Sequence, residues 1–227
     1  MSNFNFLQTL LLLIPYISTF LFFKYVFNND AFFIRKKSYF KIDFLISICF
    51  LTSFLFILWN SYFYTYLFLG LKISKETIFF NDKFITFLGV VLAVIGWLYT
   101  VRSQLHSNMK NHSIQTIMNA RLSECYNEKF DSIYGILAND ETLTLDKYNS
   151  LSPKEKSVVH YILNYYESVA ISIRYSEFEE EIVKSMMRSQ VIRTHKTFKE
   201  VLDDLRNKSS SYYEHFHLLH NRWSDLS

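Results

Sequence analysis

Glycine and proline are scarce in this chain, four and two among 227 residues. Sandwiches and barrels need many tight turns, which lean on those two residues, so the shortage favours long helices. Cysteine is nearly absent too. Cys49 lies in a long apolar run and Cys125 in the polar half, so no disulfide is expected, and no CxxC or similar metal-ligand spacing occurs. There is likewise no nucleophile elbow, P-loop, GxGxxG turn or HExxH pair. The expectation is a protein that is not an enzyme and carries no cofactor.

Charge is what the first hundred residues lack locally. Phe44–Leu71 contains no Asp, Glu, Lys or Arg. A spanning helix takes roughly 20 mostly apolar residues, because the hydrocarbon core is about 30 Å thick. Only a helix satisfies its own backbone in lipid, so this run reads as helical despite its Phe and Tyr content. A second uncharged run, Phe4–Phe23, lacks the basic start and small-x-small cleavage site of a signal peptide. A third, Phe84–Val101, is flanked by Lys83 and Arg102. The predicted fold class is therefore all-α, with two or three transmembrane helices followed by a cytoplasmic helical bundle. The spans fall at about 4–23, 44–66 and 84–101, inside a membrane region covering 1–101. Residues 102–113 read as a stalk that nothing bars from continuing the third helix, and 114–227 as the soluble domain.

The formal net charge is +3, and its location matters more than its size. Eight basic and four acidic residues fall in 1–101, leaving 16 and 17 for the rest. Arg35, Lys36, Lys37 and Lys41 crowd the loop after the first run, among Phe27, Phe32, Phe33, Tyr39 and Phe40. Short basic loops stay in the cytoplasm, and each cation near an anionic leaflet contributes about 1 kcal/mol. These four are the candidate topology and anionic-lipid residues, with the aromatics as interfacial anchors. With two spans or three, the polar half lies on the same side as this loop. The expected location is thus a bacterial inner membrane with the C-terminal domain in the cytoplasm. Gly89, Ala93 and Gly96 put small residues near one face of the third run, a spacing that lets helices approach closely in lipid. They serve either packing against the other spans or a homo-oligomer contact. Uncharged spans argue against a coupled transporter.

Beyond Arg102 the period turns helical. Ile114, Met118, Leu122, Cys125/Tyr126, Ile133 and Leu137 recur every three or four residues. Asn139–Ser150 reads as a loop. Ser152-Pro153-Lys154-Glu155 is a helix start with cap, Pro at the first position and Glu three residues on. A further start is expected at Ser176, with Glu177, Glu179, Glu180 and Glu181 in the first turn. Its stripe runs on to Leu205 and is followed by a short last helix, giving about four helices. Lys184, Arg188, Arg193, Lys196 and Lys199 form a basic stripe: a solvated face, or a dock for an acidic partner, a phosphate backbone or the membrane surface. His215, His217 and His220 are the nearest thing to a ligand cluster. Without a Cys or a Glu-x-x-His partner they read as solvated or internally satisfied.

Tyr148–Gln190 (YNSLSPKEKSVVHYILNYYESVAISIRYSEFEEEIVKSMMRSQ), with Arg121 and Leu122 upstream, resembles a bacterial domain family of uncharacterised function. Its core is an LNxxE-x-hydrophobic-Ala pattern on one helix, here Leu163, Asn164, Glu167, Val169 and Ala170, followed by an acidic start to the next helix. The likeness covers roughly residues 115–205. Joined to N-terminal spans in so short a chain, the layout resembles the membrane effectors encoded beside retron reverse transcriptases in anti-phage defence. That resemblance implies a toxic membrane protein held silent by a reverse transcriptase with its RNA–DNA hybrid, and released on infection to permeabilise the inner membrane.

Overall fold

The computed structural model describes residues 6–26, 30–35, 39–62, 68, 82–138 and 140–224. The protein is all-α. The order is α1 (Phe6–Val26), α2 (Tyr39–Tyr62), α3 (Asp82–Leu122), α4 (Glu124–Leu137), α5 (Leu145–Ser150), α6 (Pro153–Arg174), α7 (Glu180–Thr197), α8 (Lys199–Lys208) and α9 (Glu214–Ser224). Among the described residues there is no β-strand. The chain divides into two compact units. One holds α1, α2 and α3 up to His106; the other runs from Ser107 onward and also takes in the segment that begins at Phe32.

In the first unit, α2 and α3 are long and apolar enough to cross a membrane. A core helix of a soluble protein would bury such side chains, yet only 6% of each apolar window is buried. Phe50, Phe54, Val90, Leu92 and Trp97 all face outwards. The apolar stretch Leu10–Tyr25 of α1 is shorter than these two. At 1.5 Å per residue the 41-residue α3 is about 60 Å long, twice the hydrocarbon thickness. It therefore continues well past its apolar half, and the predicted stalk is simply more of this helix.

α1 meets α2 through Leu12 and Trp59, with Phe68, Tyr16, Leu55 and Phe56 around them. The Tyr16 hydroxyl donates to Thr52 Oγ1 at 3.0 Å. α2 begins at Tyr39, ahead of the run that predicted it, so the helix includes Lys41 and Asp43. Asp43 is tolerated because the Arg102 guanidinium pairs with it. That guanidinium also lies 5.5 Å from the Tyr39 ring, and Tyr39 meets His106 edge-on at 5.6 Å. Phe56 packs against Phe87 of α3 at 4.7 Å.

The second unit is built on α6, whose Ser152–Glu155 start is the capping box expected of it. Val159, Ile162, Leu163, Tyr166, Ala170 and Ile173 are essentially inaccessible to solvent. α6 packs on α4 and α9, α7 packs on α9 and α8, and α5 on α8. Trp223 of α9 is fully buried. Among the described residues six helices follow α3, where about four were expected.

Four local expectations are corrected. Ile114, Met118 and Leu122 are exposed; Ser113 and Ile117 are buried instead, and α3 ends at Leu122, before Ser123, whose side chain caps α4. The loop expected over Asn139–Ser150 contains α5, because Thr144 accepts from the Lys147 N–H and Leu143 is driven inside. Ser176 starts no helix. It adopts φ 58°, the Glu177 and Phe178 N–H groups close back on Ser172, and α7 begins only at Glu180. The stripe toward Leu205 breaks at Phe198, whose φ of −103° and ψ of 17° separate α7 from α8.

The LNxxE pattern acquires a physical meaning here. Glu167 of α6 accepts the His215 and Phe216 N–H groups at 3.2 and 2.7 Å, capping α9 from outside. Helix N-termini leave such donors unpaired, and an anion there also meets the helix dipole favourably. Glu167→Ala is expected to lower stability by about 1–2 kcal/mol and Glu167→Gln by less, as read from thermal melts of the full-length protein in detergent followed by circular dichroism.

Candidate functional site

The feature that sets this second unit apart from an ordinary helical bundle is a strap from far upstream. Phe32–Arg35 belongs to the loop after α1, yet it is bonded to the end of α6. The Ile34 and Arg35 N–H groups donate to the Arg174 carbonyl at 2.8 and 3.3 Å, and Arg174 Nε donates to the Phe32 carbonyl at 2.9 Å. Ser176 Oγ donates to the Arg35 carbonyl, which is why the chain turns there rather than starting a helix. Two cations hold the rings. The Arg174 guanidinium lies 5.7 Å from the Phe32 ring, and that of Arg222 lies 4.7 Å from Phe32 and 5.3 Å from Phe33. Desolvated cation–π contacts of this kind contribute about 1–2 kcal/mol each.

The seat beneath is rigid. Arg222 forks onto Glu180, Nε to Oε1 at 2.7 Å and Nη2 to Oε2 at 3.1 Å, and the Trp223 indole N–H donates to the same carboxylate at 3.0 Å. Arg188 donates twice to the Trp223 carbonyl at 3.1 and 3.0 Å. Glu180 and Arg188 therefore fix α7 to α9 below the strap. The Arg35–Glu177 pair is 3.5 Å apart with both side chains largely exposed, so it adds little.

The candidate residues separate accordingly. Arg35 is in the strap; Lys36 and Lys37 lie outside the described residues; Lys41 is exposed in the first turn of α2. Phe32 and Phe33, expected as membrane anchors, are half-buried against the core of the second unit instead, because Arg174 and Arg222 offer their rings a cationic seat. The basic stripe is not one line. Lys184 and Arg188 border one side of α7, Arg193 and Lys196 the other, and Lys199 falls beyond the break in α8. Gly89, Ala93 and Gly96 are exposed along one face of α3, and a Cβ placed on either glycine meets nothing within 4 Å. Among the described residues nothing packs on either glycine.

The histidines also rearrange. His215 turns away to Arg174. His217 and His220 gather instead on His195, which is buried on α7. His195 stacks on His220 at 3.7 Å with the planes 11° apart, and its Nε2 lies 3.1 Å from His217 Nδ1. Parallel stacked rings do not converge their lone pairs on one point, and among the described residues no group of three such ligands is placed to hold a metal. Sequence reading missed His195, Arg174 and Arg222 altogether. Phe32 and Phe33 were visible as an aromatic pair among cations, a pattern that lipid and protein seats share.

Two outcomes follow from this geometry. Phe32→Ala should free the strap and raise the rate of tryptic cleavage after Arg35 by roughly tenfold or more, two cation–π contacts being lost, with the helical content unchanged. The second concerns pH. Burial, then His220 and His217 beside it, push the His195 pKa from 6.5 down to about 3, and burial also lowers those of His217 and His160. The unfolded chain then binds these protons more tightly than the folded one. Their stabilising contribution is complete above about pH 6.5 and is lost as the pH falls toward 3. Between pH 7.5 and 5 the melting temperature should drop, the loss reaching up to about 2 kcal/mol for His195, and His195→Leu should flatten that slope.

No curated protein and no solved structure matches the chain. A family model does, over residues 84–223: the domain of unknown function DUF4760. The match opens in the apolar half of α3 and closes on Trp223, so it takes in that half and the helices that carry the strap's seat, but neither α1 nor α2. The chain belongs to the DUF4760 family.

Proposed function

We propose that this protein is a membrane effector that acts without catalysis: α2 and α3 lie in a bacterial inner membrane, and the helical unit after them sits in the cytoplasm and keeps them silent. The observation that carries the reading is the bare face of α3. A membrane helix does not ordinarily leave a Gly-xxx-Ala spacing unused, since small residues are where backbones approach closely in lipid. Thr100 extends the face one turn, its hydroxyl folded onto the Gly96 carbonyl at 2.9 Å. Self-association along α3, copy against copy, gives this face an occupant. It also lets uncharged spans surround a water path, which a single copy is too small to do.

The strap supports the orientation and the restraint. The loop after α1 and the C-terminal helices fold as one unit, and the basic composition of that loop supports an inside position by the positive-inside rule. A partner that grips the helical unit thereby grips the α1–α2 loop as well. The resemblance to effectors beside retron reverse transcriptases supplies such a partner, a reverse transcriptase with its RNA–DNA hybrid, and a role in abortive anti-phage defence.

Expression in a bacterium without partners, followed with a potential-sensitive dye, is the test. Wild-type protein should collapse the membrane potential. Leu at both Gly89 and Gly96 should weaken self-association by roughly tenfold and restore the potential at equal expression, since a lipid helix contact is worth about 1–2 kcal/mol. Cells that keep their potential with the wild-type protein fully inserted would instead point to a membrane-anchored scaffold.

A further inference from the structure

α4 packs on α6, whereas α7 packs on α9 and α8. Between α4 and α7 lies a cavity of about 620 Å³ with Ile162 of α6 on its lining, within the size range of small-molecule sites. Three features of its lining point the same way. Phe130 and Tyr134 of α4 stand on one wall as an edge-to-face pair 5.5 Å apart, and Tyr134 is half exposed although apolar partners lie beside it. Gln190 of α7 also lines the cavity, and its side-chain oxygen is buried without a hydrogen-bond partner. A buried acceptor left unmet is costly, so such a group generally has a donor to receive. One turn further along α7, Arg193 is exposed on the same cavity.

The charge balance then decides the ligand's sign. Asp140 and Glu141 also border the cavity, but each already has a cation: Lys147 Nζ is 2.7 Å from Asp140, and Lys196 Nζ is 3.7 Å from Glu141. Thr197 Oγ1 further ties the Glu141 carbonyl down at 3.2 Å. Among the described residues no carboxylate pairs with Arg193, which leaves one uncompensated guanidinium at the cavity. From an aromatic wall, an unmet amide oxygen and a free guanidinium within one turn of it, we infer that this cleft binds a mononucleotide. The base lies against Phe130 and Tyr134, its exocyclic amine donates to Gln190 Oε1 once that side chain turns its oxygen into the cleft, and its phosphate pairs with Arg193, whose planar fork suits phosphate oxygens. The inference stands on the helical unit alone and is independent of what the spans do.

Isothermal titration of the full-length protein in detergent micelles tests it with three probes: adenosine monophosphate, adenosine and inorganic phosphate. The nucleotide should bind, adenosine about tenfold more weakly for want of the charge-assisted pair, and phosphate weaker still. Arg193→Gln should bring the nucleotide down to the affinity of adenosine while leaving adenosine unchanged. Gln190→Leu should weaken both by about tenfold. If that variant fails to fold, Tyr134→Ala, at a half-exposed ring, replaces it with the same loss expected. No heat with the nucleotide at about 10 mM, phosphate binding as tightly as the nucleotide, or an affinity untouched by either substitution would each overturn the inference.

Discussion

A buried guanidinium has to be satisfied on nearly all its donors or it destabilises the fold that encloses it, and Arg174 is where the second unit meets that demand. Only 9% of the residue is exposed. Its Nε goes to the Phe32 carbonyl and an Nη to His215, Glu214 is 3.8 Å away, and its own carbonyl takes two N–H groups from the strap. Removing the strap would leave that carbonyl and Nε without these partners in a place water reaches poorly. The seat therefore holds Phe32–Arg35 by the cost of vacancy as much as by attraction. This is a stronger tie than the exposed Arg35–Glu177 pair beside it, and one that salt does little to screen.

Satisfying Arg174 fixes more than the strap. The turn at Ser176 follows from it, because a hydroxyl donating to the Arg35 carbonyl holds residue 176 out of helical space and delays α7 to Glu180. That delay puts Glu180 where Arg222 and the Trp223 indole reach it, and Glu179 where its N–H meets Ser113 of α3 at 2.9 Å. Ser113 is fully buried and simultaneously donates to the Met109 carbonyl, so α3 is keyed into this unit by a hydroxyl together with the buried Ile117. Ile114, Met118 and Leu122 are left outside on the same helix.

That inversion explains where sequence reasoning succeeds and where it fails. Helix against strand was decided by turn chemistry and long apolar runs, both local, and the all-α class followed. The Ser152–Glu155 start was legible because a capping box is complete within four residues. Phase was not. Ile114, Met118 and Leu122 look like a core stripe, and nothing within α3 tells that Ser113 and Ile117, each one position earlier, are the buried residues. The acidic cluster looked like one helix start, whereas Glu177, Glu179 and Glu180 serve three separate partners, each more than 40 residues distant. The basic stripe failed for a related reason: five cations read along one helix cross a break at Phe198 that only packing reveals. His195 was invisible because a single histidine in a polar helix carries no signal until His217 and His220 arrive from α9.

The polar groups flanking the apolar runs also do more than mark where lipid would end. Asp43 and Arg102 both sit just outside the uncharged stretches that the sequence displays, and they pair with each other, with Tyr39 and His106 packed around them. An ion pair held at that level sets the register of α2 against α3, since sliding either helix by one turn would separate the charges by about 5 Å and strand both at the margin of lipid. Register so fixed settles which face of α3 is spent on α2. Phe87, Leu98 and Arg102 lie on that side by helical phase, and Gly89, Ala93 and Gly96 lie on the opposite one. Among the described residues the small-residue face is thus bare as a consequence of a charge pair at the helix margin, and a bare face of that kind in lipid is the physical basis for expecting a second copy against it.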